Sequence, residues 1–436
     1  MTGEPMTATT TPTAQALMAR RRATLGPHSP TFYDEPLHLV SGEGVWLRGA
    51  DGVDYLDAYN NVPHVGHCNP VVVRAIADQA ARLNIHTRYV HEGVVDYAEA
   101  LLATFAPHLD RVFLTSSGSE ANELALRIAR QHTGSTGVLV SDFGYHGTTT
   151  SLAELTTGLT VQEPLGSHVR ALRVPDLATD PRAEEVVLAE ALDEARAAVA
   201  SLVESGHGVS ALLFDPLFST EGLPRVPSGY VKAVVGLVRS AGGLVIADEV
   251  QSGFGRTGLR MWGHELFDIT PELVTLGKPM GNGHPLGAVV TTGELLEEFG
   301  SANLYFNTFA GSPVSAAAGT AVLREMTDRE LRTSALKVGD RARVLLEELA
   351  ADHPCVQAVK GTGLFFGLEF TDPGGKPDAG LTRRVVEDMR RRGVLISRVG
   401  RHDNVLKIRP PLVFEHDHLT LLAERLTASL GALEAA

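Results

Sequence analysis

The chain has 436 residues, of which 44% are hydrophobic and 21% are charged, and its formal net charge is −14. This length allows two or three domains around a large core. Nucleic acid and anionic membranes are poor partners for so acidic a chain, because both bind basic faces. No apolar run approaches the ~20 residues of a membrane span. Two cysteines, Cys68 and Cys355, are too few for a disulfide framework and suit a reducing compartment, so we predict a cytoplasmic protein.

The first 60 residues divide into two parts. Residues 1–19 are rich in Thr and Ala and precede three arginines. This composition predicts a flexible tail, with an organellar presequence as the alternative. Residues 20–60 contain alternating apolar positions that are broken by a turn at Asp51-Gly52, which predicts a β-rich segment.

The segment HVGHCNP follows this β-rich part. The spacing of His64, His67 and Cys68 is open to a metal site, but a structural zinc site requires four ligands and no second pair stands nearby. We therefore interpret the segment as a loop at the rim of an active site, without a metal.

Between residues 61 and 314, apolar strands alternate with helical patterns. This alternation indicates an α/β fold with a mostly parallel central sheet covered on both faces. Ligands of such sheets lie at the carboxyl ends of the strands, where Asp215, Asp248 and Lys278 fall. The predicted strands are Arg111–Thr115, Gly137–Ser141, Ala211–Asp215, Leu244–Asp248 and Leu273–Leu276.

The remaining residues, 315–436, show two helical patterns, several short strands and a final helix. This pattern predicts a smaller α+β domain, which residues 20–60 would complete. The larger domain, residues 61–314, is then expected to hold the functional site.

The stretch TLGKPMGNGHPLGAV places Lys278 between two apolar runs. Burial lowers the pKa of a lysine, and a neutral amine attacks a carbonyl carbon. The glycines of the stretch allow tight turns and the close approach of a flat ligand. On this stretch alone, a surface turn with a solvated lysine explains the pattern equally well.

The strand at residues 111–115 runs into the sequence SSGSEANELALRIAR. Ser117 with Glu120 forms a capping box at the start of a helix. Free backbone N–H groups and the helix dipole make such a start a phosphate seat. We assign this role to Ser117, Gly118 and Ser119; an ordinary strand–turn–helix corner is the alternative.

These features together fit one cofactor, pyridoxal 5′-phosphate. It requires a covalent lysine partner, a phosphate seat, an aromatic ring to stack on and a carboxylate at its ring nitrogen. We assign Lys278 as the lysine, Tyr145 as the stacking ring and Asp248 as the carboxylate. His146, beside Tyr145 at another strand end, joins the predicted cofactor contacts.

Five motifs carry a resemblance to a known family. SGSEAN, YHG, ADEVQSGFGRTG, TLGKPMGNGHPLGAV and NTFAGSPVSAAAG occur in this order, and together they resemble the class III aminotransferases, which are fold-type I enzymes that use pyridoxal phosphate. The resemblance implies that Val250 lies against the cofactor ring and Gln251 near its phenolic oxygen. It also implies a homodimer in which Thr308 reaches the phosphate of the neighbouring site. A tetramer is the alternative assembly.

Three segments resemble one particular branch of this family. YLDAYNNVPHVGHCNP, GKPMGNGHP and NVLKIRPPLVF most resemble the branch with ethanolamine-phosphate and phosphohydroxylysine phospho-lyases, which do not exchange amino groups. Asp215-Pro216 replaces the Glu-Pro of most relatives, and FSTEG follows it. The carboxylate contacts of an ordinary aminotransferase therefore do not transfer directly to this chain.

A local basic run stands out in this acidic chain. Arginine forks suit phosphate and carboxylate alike, although surface charges beside strands explain such a run too. We predict Arg409 as the first contact for a substrate anion and Arg398 as the second, with Asn61 and His64 also on the substrate side. The run consists of Arg398, Arg401, His402, Lys407 and Arg409, opposed by Asp403.

The predicted reaction is elimination of phosphate from a phosphorylated amino alcohol, with O-phosphoethanolamine giving acetaldehyde, ammonia and phosphate. Lys278 would remove the proton from the amine-bearing carbon, and Asp248 would keep the ring nitrogen protonated. The alternative is an ω-aminotransferase that passes an amino group to a keto acid. A cofactor-binding regulator without catalysis is a more distant alternative, which the presence of both Lys278 and Asp248 disfavours.

Overall fold

The computed structural model describes residues 13–434. Two short 3₁₀ segments, Gly263–Phe267 and Lys278–Gly281, lie in loops of this range. The α-helices of the described range are α1 (Ala14–Leu25), α2 (Pro70–Arg82), α3 (Glu92–Leu102), α4 (Gly118–Thr133), α5 (Thr150–Ala153), α6 (Glu184–Glu204), α7 (Tyr230–Ser240), α8 (Gly293–Ala302), α9 (Pro313–Asp328), α10 (Leu331–Asp352), α11 (Ala379–Arg391) and α12 (His416–Glu434).

The strands of the same range form three sheets. They are β1 (Leu39–Glu43), β2 (Trp46–Gly49), β3 (Asp54–Asp57), β4 (Arg111–Thr115), β5 (Val138–Ser141), β6 (Val169–Leu172), β7 (Ala211–Phe214), β8 (Leu244–Asp248), β9 (Leu273–Leu276), β10 (Gly287–Thr291), β11 (Val356–Thr362), β12 (Phe365–Phe370), β13 (Val394–Leu395), β14 (Ser397–Val399) and β15 (Val405–Ile408).

The central sheet has seven strands in the order β4-β10-β9-β8-β7-β5-β6. Strands β9, β8, β7, β5 and β6 are parallel, while β10 is antiparallel to both neighbours. The predicted mostly parallel sheet is confirmed, and β8 and β9 match the predicted strands residue for residue. Edge strand β6 was not predicted.

Apolar side chains cover both faces of this sheet. Along β7, Leu213 packs with the α4 side of the core, whereas Leu212 and Phe214 pack with α7. Alternate residues of a strand point to opposite faces, so a strand with both faces covered must be apolar throughout. The polar groups of the central strands are therefore confined to the strand ends, where the candidate site forms.

Two smaller sheets surround the central one. One is antiparallel, in the order β11-β12-β15-β14, and the other has the order β1-β2-β3-β13. In the second, β3 pairs in parallel with β13, with Leu56 opposite Val394. This pairing joins the β-rich N-terminal segment to the C-terminal part of the chain. The predicted boundary after residue 314 falls in the first turn of α9, and the domain limits stay a prediction.

Helix α1 occupies part of the predicted N-terminal tail. Residues 14–19 are helical, and the Thr13 side chain accepts a 3.2 Å hydrogen bond from the backbone N–H of Ala16 at the helix start. The helix has no buried residue. The rest of the predicted tail, residues 1–12, lies outside the described residues. Between residues 13 and 434, no helix is long and apolar enough to cross a membrane.

Candidate active site

Three strand ends meet at the carboxyl edge of the central sheet. Asp248 ends β8, Asp215 follows β7, and Lys278 follows β9 after a single glycine. They border a cavity of about 150 Å³. All the predicted cofactor residues except Thr308 lie around it. The cavity is lined by Ser117, Gly118, Ser119, Asn122, Tyr145, His146, Gly147, Asp215, Asp248, Val250, Gln251 and Lys278.

Lys278 occupies an unusual position at the start of a 3₁₀ turn. Its φ of 30° lies in the left-handed region, which is strained for a residue with a side chain. Burial, aided by the charge of Arg409, lowers the pKa of its amine to about 8, while Asp248 and Asp215 oppose this shift. A neutral amine is therefore accessible near neutral pH, and that form attacks a carbonyl carbon.

Three groups hold the Asp248 carboxylate. His146 Nδ1 lies 2.8 Å from its Oδ2, and Asn122 donates to the same oxygen at 2.9 Å. The other oxygen, Oδ1, accepts a 3.1 Å hydrogen bond from the backbone N–H of Val250. The carboxylate is thus fixed in one orientation at the cavity wall. Asn122 was part of a quoted motif, but sequence reasoning gave it no role.

The ring of His146 supports Asp248 from behind. Burial lowers the pKa of His146, but the hydrogen bond to Asp248 and its charge outweigh burial, so the pKa is raised overall. The ring is only 4% exposed. His146 bonds Asp248 through Nδ1 and also lines the cavity, and its predicted contact with the cofactor stays a prediction.

The start of α4, where the phosphate seat is predicted, lines the cavity. Ser117 caps the helix, and its Oγ accepts a 3.2 Å hydrogen bond from the N–H of Glu120. Glu120 reaches back to the N–H of Ser116, at 2.7 Å, and not to that of Ser117 as in the predicted capping box. The helix start keeps its free N–H groups and its dipole directed at the cavity.

Close packing around the helix start leaves no room for side chains at two positions. A Cβ on Gly118 would lie 2.9 Å from a Val250 methyl group, and one on Gly277 would lie 3.0 Å from the Gly118 nitrogen. Both positions therefore require glycine. The absence of side chains there lets an anion approach the backbone of the helix start.

Tyr145 lies at the cavity with its hydroxyl near Asp248. Burial and the charge of Asp248 raise the pKa of this hydroxyl. The phenol therefore stays neutral at physiological pH, and its ring is available as an apolar face. The stacking role of Tyr145 stays a prediction.

Arg409 borders the cavity through Gln251. Its guanidinium donates to Gln251 Oε1 and, at 3.3 Å, to the backbone carbonyl of Tyr59. The rings of Tyr59 and Phe365 lie 5.3 and 5.2 Å from the guanidinium carbon. The side chain is buried, and burial lowers its pKa despite nearby acidic groups. Within residues 13–434, no ion pair includes Arg409.

Lys407 is a second buried basic residue, and sequence reasoning placed it in the basic run without a role of its own. Burial, then the charges of Arg409 and Lys278, hold the pKa of its amine well below the ordinary value. Its Nζ lies 5.5 Å from the centre of the Phe365 ring, and no ion pair of the described residues includes it. Alternation along β15 places Lys407 and Arg409 on the same face, which was the available signal.

The second predicted anion contact, Arg398, lies elsewhere. Its side chain is 35% exposed and pairs with Asp403 at 3.4 Å. It also stabilises the charge of Asp34 in the N-terminal segment. Like Arg409 and Lys407, Arg398 does not line the cavity, but it differs from them in lying on β14, the edge strand of its sheet, where its side chain stays partly exposed.

His64 and Asn61 occupy different environments. His64 is fully buried, its Nε2 bonds the Phe254 carbonyl at 2.7 Å, and its Nδ1 accepts from Arg256 at 3.2 Å. Burial and Arg256 hold the pKa of His64 well below its ordinary value, so it is neutral. With both nitrogens engaged, His64 supports Arg256 rather than a substrate. Asn61 is buried too, but its Nδ2 has no partner among the described residues.

Thr308 lies on the surface, away from the cavity of its own chain. It is exposed, and its neighbours Leu304 and Phe309 are 103% and 78% exposed. The role of Thr308 toward a neighbouring subunit stays a prediction.

Comparison with known proteins defines the class of this chain. The family model described as "Aminotransferase class-III" matches residues 29–430, so the chain belongs to this family. The fold is that of a fold-type I enzyme, and the cofactor is pyridoxal 5′-phosphate.

Particular relatives are similar over nearly the whole chain. A phospholyase from Arthrobacter, solved in complex with phosphoethanolamine, has 62% sequence identity and a TM-score of 0.94, covering 95% of this chain and 99% of that one. Alanine–glyoxylate aminotransferase 2-like of Drosophila melanogaster is 39% identical, covering 91% of this chain and 83% of that protein. Ethanolamine-phosphate phospho-lyase homolog 1 of Caenorhabditis elegans is 36% identical, covering 93% and 91%.

The residues at the cavity fit this cofactor. The buried amine of Lys278 suits the covalent attachment, and the side-chain-free start of α4 suits the phosphate. Asp248, oriented by three donors, suits the protonated ring nitrogen.

Proposed function

We propose that this protein is a pyridoxal-phosphate-dependent lyase that eliminates phosphate from O-phosphoethanolamine, releasing acetaldehyde, ammonia and phosphate. The observation that carries the proposal is the pair Lys407 and Arg409, two buried basic side chains near the catalytic lysine that form no ion pair with a carboxylate of the described residues. The similarity to a phospholyase that binds phosphoethanolamine supports the same substrate.

The charge of a phosphate monoester matches this pair. A buried cation without a counterion loses several kcal/mol of solvation, and a phosphate group carries about −1.5 to −2 charges at pH 7. The forked donors of Arg409 suit two phosphate oxygens, while Lys407 supplies a point charge. A carboxylate, with one negative charge, would leave one of the two cations uncompensated.

The protein groups divide the chemistry among them. Pyridoxal phosphate supplies an electron-accepting ring when it is bound. Lys278 removes the proton from the amine-bearing carbon, and Asp248 holds a proton at the ring nitrogen. Lys407 and Arg409 stabilise the departing phosphate as its carbon–oxygen bond breaks and its oxygen takes the electron pair. Hydrolysis of the remaining two-carbon fragment gives the aldehyde and ammonia.

Asp215 takes the place of the glutamate found in most of the resembling enzymes. Its Oδ1 accepts a 2.9 Å hydrogen bond from the N–H of Leu217, and its Oδ2 a 3.2 Å bond from the N–H of Ser219. The carboxylate thus closes its own turn at the cavity wall. A substrate without a carboxylate group, such as O-phosphoethanolamine, needs no cation at this side of the cavity.

We propose that the protein is a homodimer. Among the exposed large apolar residues, Tyr89 and Val90 lie in one short segment, and Leu304 and Phe309 lie in another, on either side of Thr308. Val90 is 99% exposed and Leu304 is 103% exposed, so each would lose a large apolar area from water on association. Thr308, between these side chains, would then serve the cofactor phosphate of the partner.

An ω-aminotransferase is the second candidate, because the Drosophila relative is named as an aminotransferase. It would use Lys278 to return the proton to the cofactor and would require a keto acid to complete a cycle. A lyase regenerates its starting form in each cycle and requires no acceptor. The two candidates therefore differ in whether repeated turnover requires a keto acid.

The deciding experiment adds O-phosphoethanolamine to the purified, cofactor-loaded enzyme without any keto acid. We expect phosphate, acetaldehyde and ammonia in equal amounts over many turnovers. Ethanolamine, which lacks the leaving group, and the Lys278→Ala variant should give none. Turnover that requires pyruvate or 2-oxoglutarate, with the amino group recovered on the acceptor, would replace the lyase by the aminotransferase.

A further inference from the structure

A line of polar side chains extends from the cavity into the protein behind Asp248. His146 Nδ1 bonds Asp248 Oδ2 at 2.8 Å, and further back the Ser141 hydroxyl donates to Glu221 Oε1. Ser141 and His146 are each 4% exposed. The reaction described above makes no use of Ser141 or Glu221, although Ser141 lies near the His146 ring and the charge of Glu221 acts on that ring.

Two atoms in this line have no hydrogen-bond partner among the described residues. They are His146 Nε2 and Glu221 Oε2, and both are shielded from solvent. A buried polar atom that loses its water without gaining a hydrogen bond destabilises the folded state. Each of these two atoms is therefore expected to have a hydrogen-bond partner, such as a buried water. One is a nitrogen that carries a proton in the cationic ring, and the other is a carboxylate oxygen.

The His146–Asp248 pair and the Ser141–Glu221 pair approach each other beside Gly144. A Cβ on Gly144 would lie 3.3 Å from His146 Nε2 and 3.0 Å from Ser141 Oγ, so both atoms border the same small region. A hydroxyl that donates to a carboxylate still has lone pairs with which to accept. One buried water in this region would complete the line from the His146 ring to Ser141 and on to Glu221.

The charges around His146 are all acidic. Burial lowers its pKa, but Asp248, then Glu221 and Asp215, raise it overall. Burial and the charge of Asp215 raise the pKa of Glu221 to about 7, while its bond from Ser141 and the charge of His146 lower it. Lys407 is the other cation that faces Glu221. Glu221 and His146 therefore stabilise each other in their charged forms.

We propose that Glu221, acting through Ser141, is a positioning residue that holds His146 in its cationic form behind Asp248. A cationic ring that donates to Asp248 keeps this carboxylate ionised, so that it presents a negative charge to the ring nitrogen of the cofactor. The proposal rests on the cofactor assignment of the proposed function. It does not depend on phosphate being the leaving group.

The test measures the titration of His146 in the cofactor-loaded enzyme by NMR of ¹⁵N-labelled histidine. The His146→Gln variant identifies its resonances. We expect Glu221→Gln to lower the titration midpoint of His146 by about one pH unit or more, as removal of a nearby opposite charge does. Ser141→Ala, which keeps the charge but removes the link, should lower it by a smaller, measurable amount. Glu190→Gln, an exposed charge on α6, should leave it unchanged.

A second readout follows the proton on the cofactor itself. With ¹⁵N-labelled pyridoxal phosphate, the ring nitrogen should lose its proton at a lower pH in Glu221→Gln than in the wild type, and Glu221→Asp should restore part of the difference. If Glu221→Gln does not fold, Ser141→Ala and Glu221→Asp carry the test. An unchanged His146 titration in Glu221→Gln or in Ser141→Ala would overturn the proposal. Neither readout uses phosphate release, so this failure is distinct from a failure of the lyase assignment.

Discussion

Asn122 Nδ2 lies 2.9 Å from Asp248 Oδ2, and Oδ1 of the same amide accepts a 2.6 Å hydrogen bond from Thr275. The Asn122 Nδ2 also donates to the backbone carbonyl of His146 at 2.7 Å. One amide on α4 therefore ties together β8, β9 and the loop after β5. If the start of α4 holds the cofactor phosphate, as predicted, this amide fixes the position of that site relative to Asp248.

Replacement of this amide tests that relationship. Asn122→Ala removes a hydrogen bond to a charged carboxylate, worth about 1.5–3 kcal/mol, so kcat/KM should fall by roughly ten- to hundredfold. Thr275→Val removes only the donor to Asn122 and should have a smaller effect. Steady-state kinetics with O-phosphoethanolamine measure kcat/KM for both variants. A variant Asn122→Ala with the kinetics of the wild type would show that Asp248 is held without it.

The buried pair on β15 makes a prediction about substrate binding. Lys407→Met removes a charge from the proposed phosphate site while it keeps most of the side-chain volume. We expect the KM for O-phosphoethanolamine to rise at least about tenfold, because hydrogen bonds to charged groups contribute about 1.5–3 kcal/mol. Cofactor affinity, measured by absorbance titration, should change little.

A matched variant exists for this prediction. Arg398→Met removes one positive charge from the same basic run, at a side chain that is 35% exposed and paired with Asp403. The KM should stay within about twofold, since an exposed ion pair contributes about 0–1 kcal/mol. Equal effects of Lys407→Met and Arg398→Met would mean that the run acts only by its overall charge.

The lowered pKa of Lys278 predicts a pH-dependent stability in the cofactor-free protein. The pKa falls from 10.5 to about 8 on folding, so below pH 8 the folded state must hold a buried ammonium. This penalty amounts to about 3 kcal/mol at 1.36 kcal/mol per pKa unit. It is present below pH 8, fades as the pH rises toward 10.5, and is absent above that value.

The variant Lys278→Met should therefore be more stable than the wild type at pH 7. The difference in the free energy of unfolding should shrink toward zero near pH 10.5, as the amine becomes neutral in both states. Chemical denaturation of the two cofactor-free proteins at both pH values measures this. A difference that does not depend on pH would show that the buried charge of Lys278 is not its cause.

The exposed position of Thr308 leads to a prediction about cofactor retention. If its hydroxyl donates to the cofactor phosphate of the partner subunit, Thr308→Ala loses a charge-assisted hydrogen bond of about 1.5–3 kcal/mol. The dissociation constant of the cofactor should rise by roughly ten- to hundredfold. Thr308→Ser keeps the hydroxyl and should restore retention. Unaltered cofactor loss on dialysis of Thr308→Ala would exclude the cross-subunit contact.

The central part of the site could be predicted because its signals are local. Asp248 and Lys278 stand where apolar strands end, and parallel strands bring their carboxyl ends to one edge. Likewise, Ser117 and Gly118 follow a strand and open a helix. In each case a few consecutive residues determine both the local structure and the side of the sheet on which the polar group lies.

The residues that were misplaced depend on distant partners. His64 has its environment set by Phe254 and Arg256, far along the chain, and no local pattern shows that both ring nitrogens are taken. Arg398 and Lys407 look alike as members of one basic run. They differ because β15 lies inside its sheet while β14 lies at the edge, and strand order is a property of the whole fold.

The pairing of β3 with β13 has a consequence for how the protein is made. The backbone N–H of Arg409 bonds the carbonyl of Ala58, and the N–H of Ala58 in turn bonds the carbonyl of Leu395. Strands β1, β2 and β3 pair with one another locally. On the ribosome, where chains emerge at ~5–20 residues per second, the other edge of β3 waits for β13 until almost the entire polypeptide has been synthesised. Contacts of such long sequence separation slow folding. The anion-binding face of β15 is therefore among the last parts of the molecule to assemble, and a prematurely terminated chain would retain Lys278 without the cations that recognise its substrate.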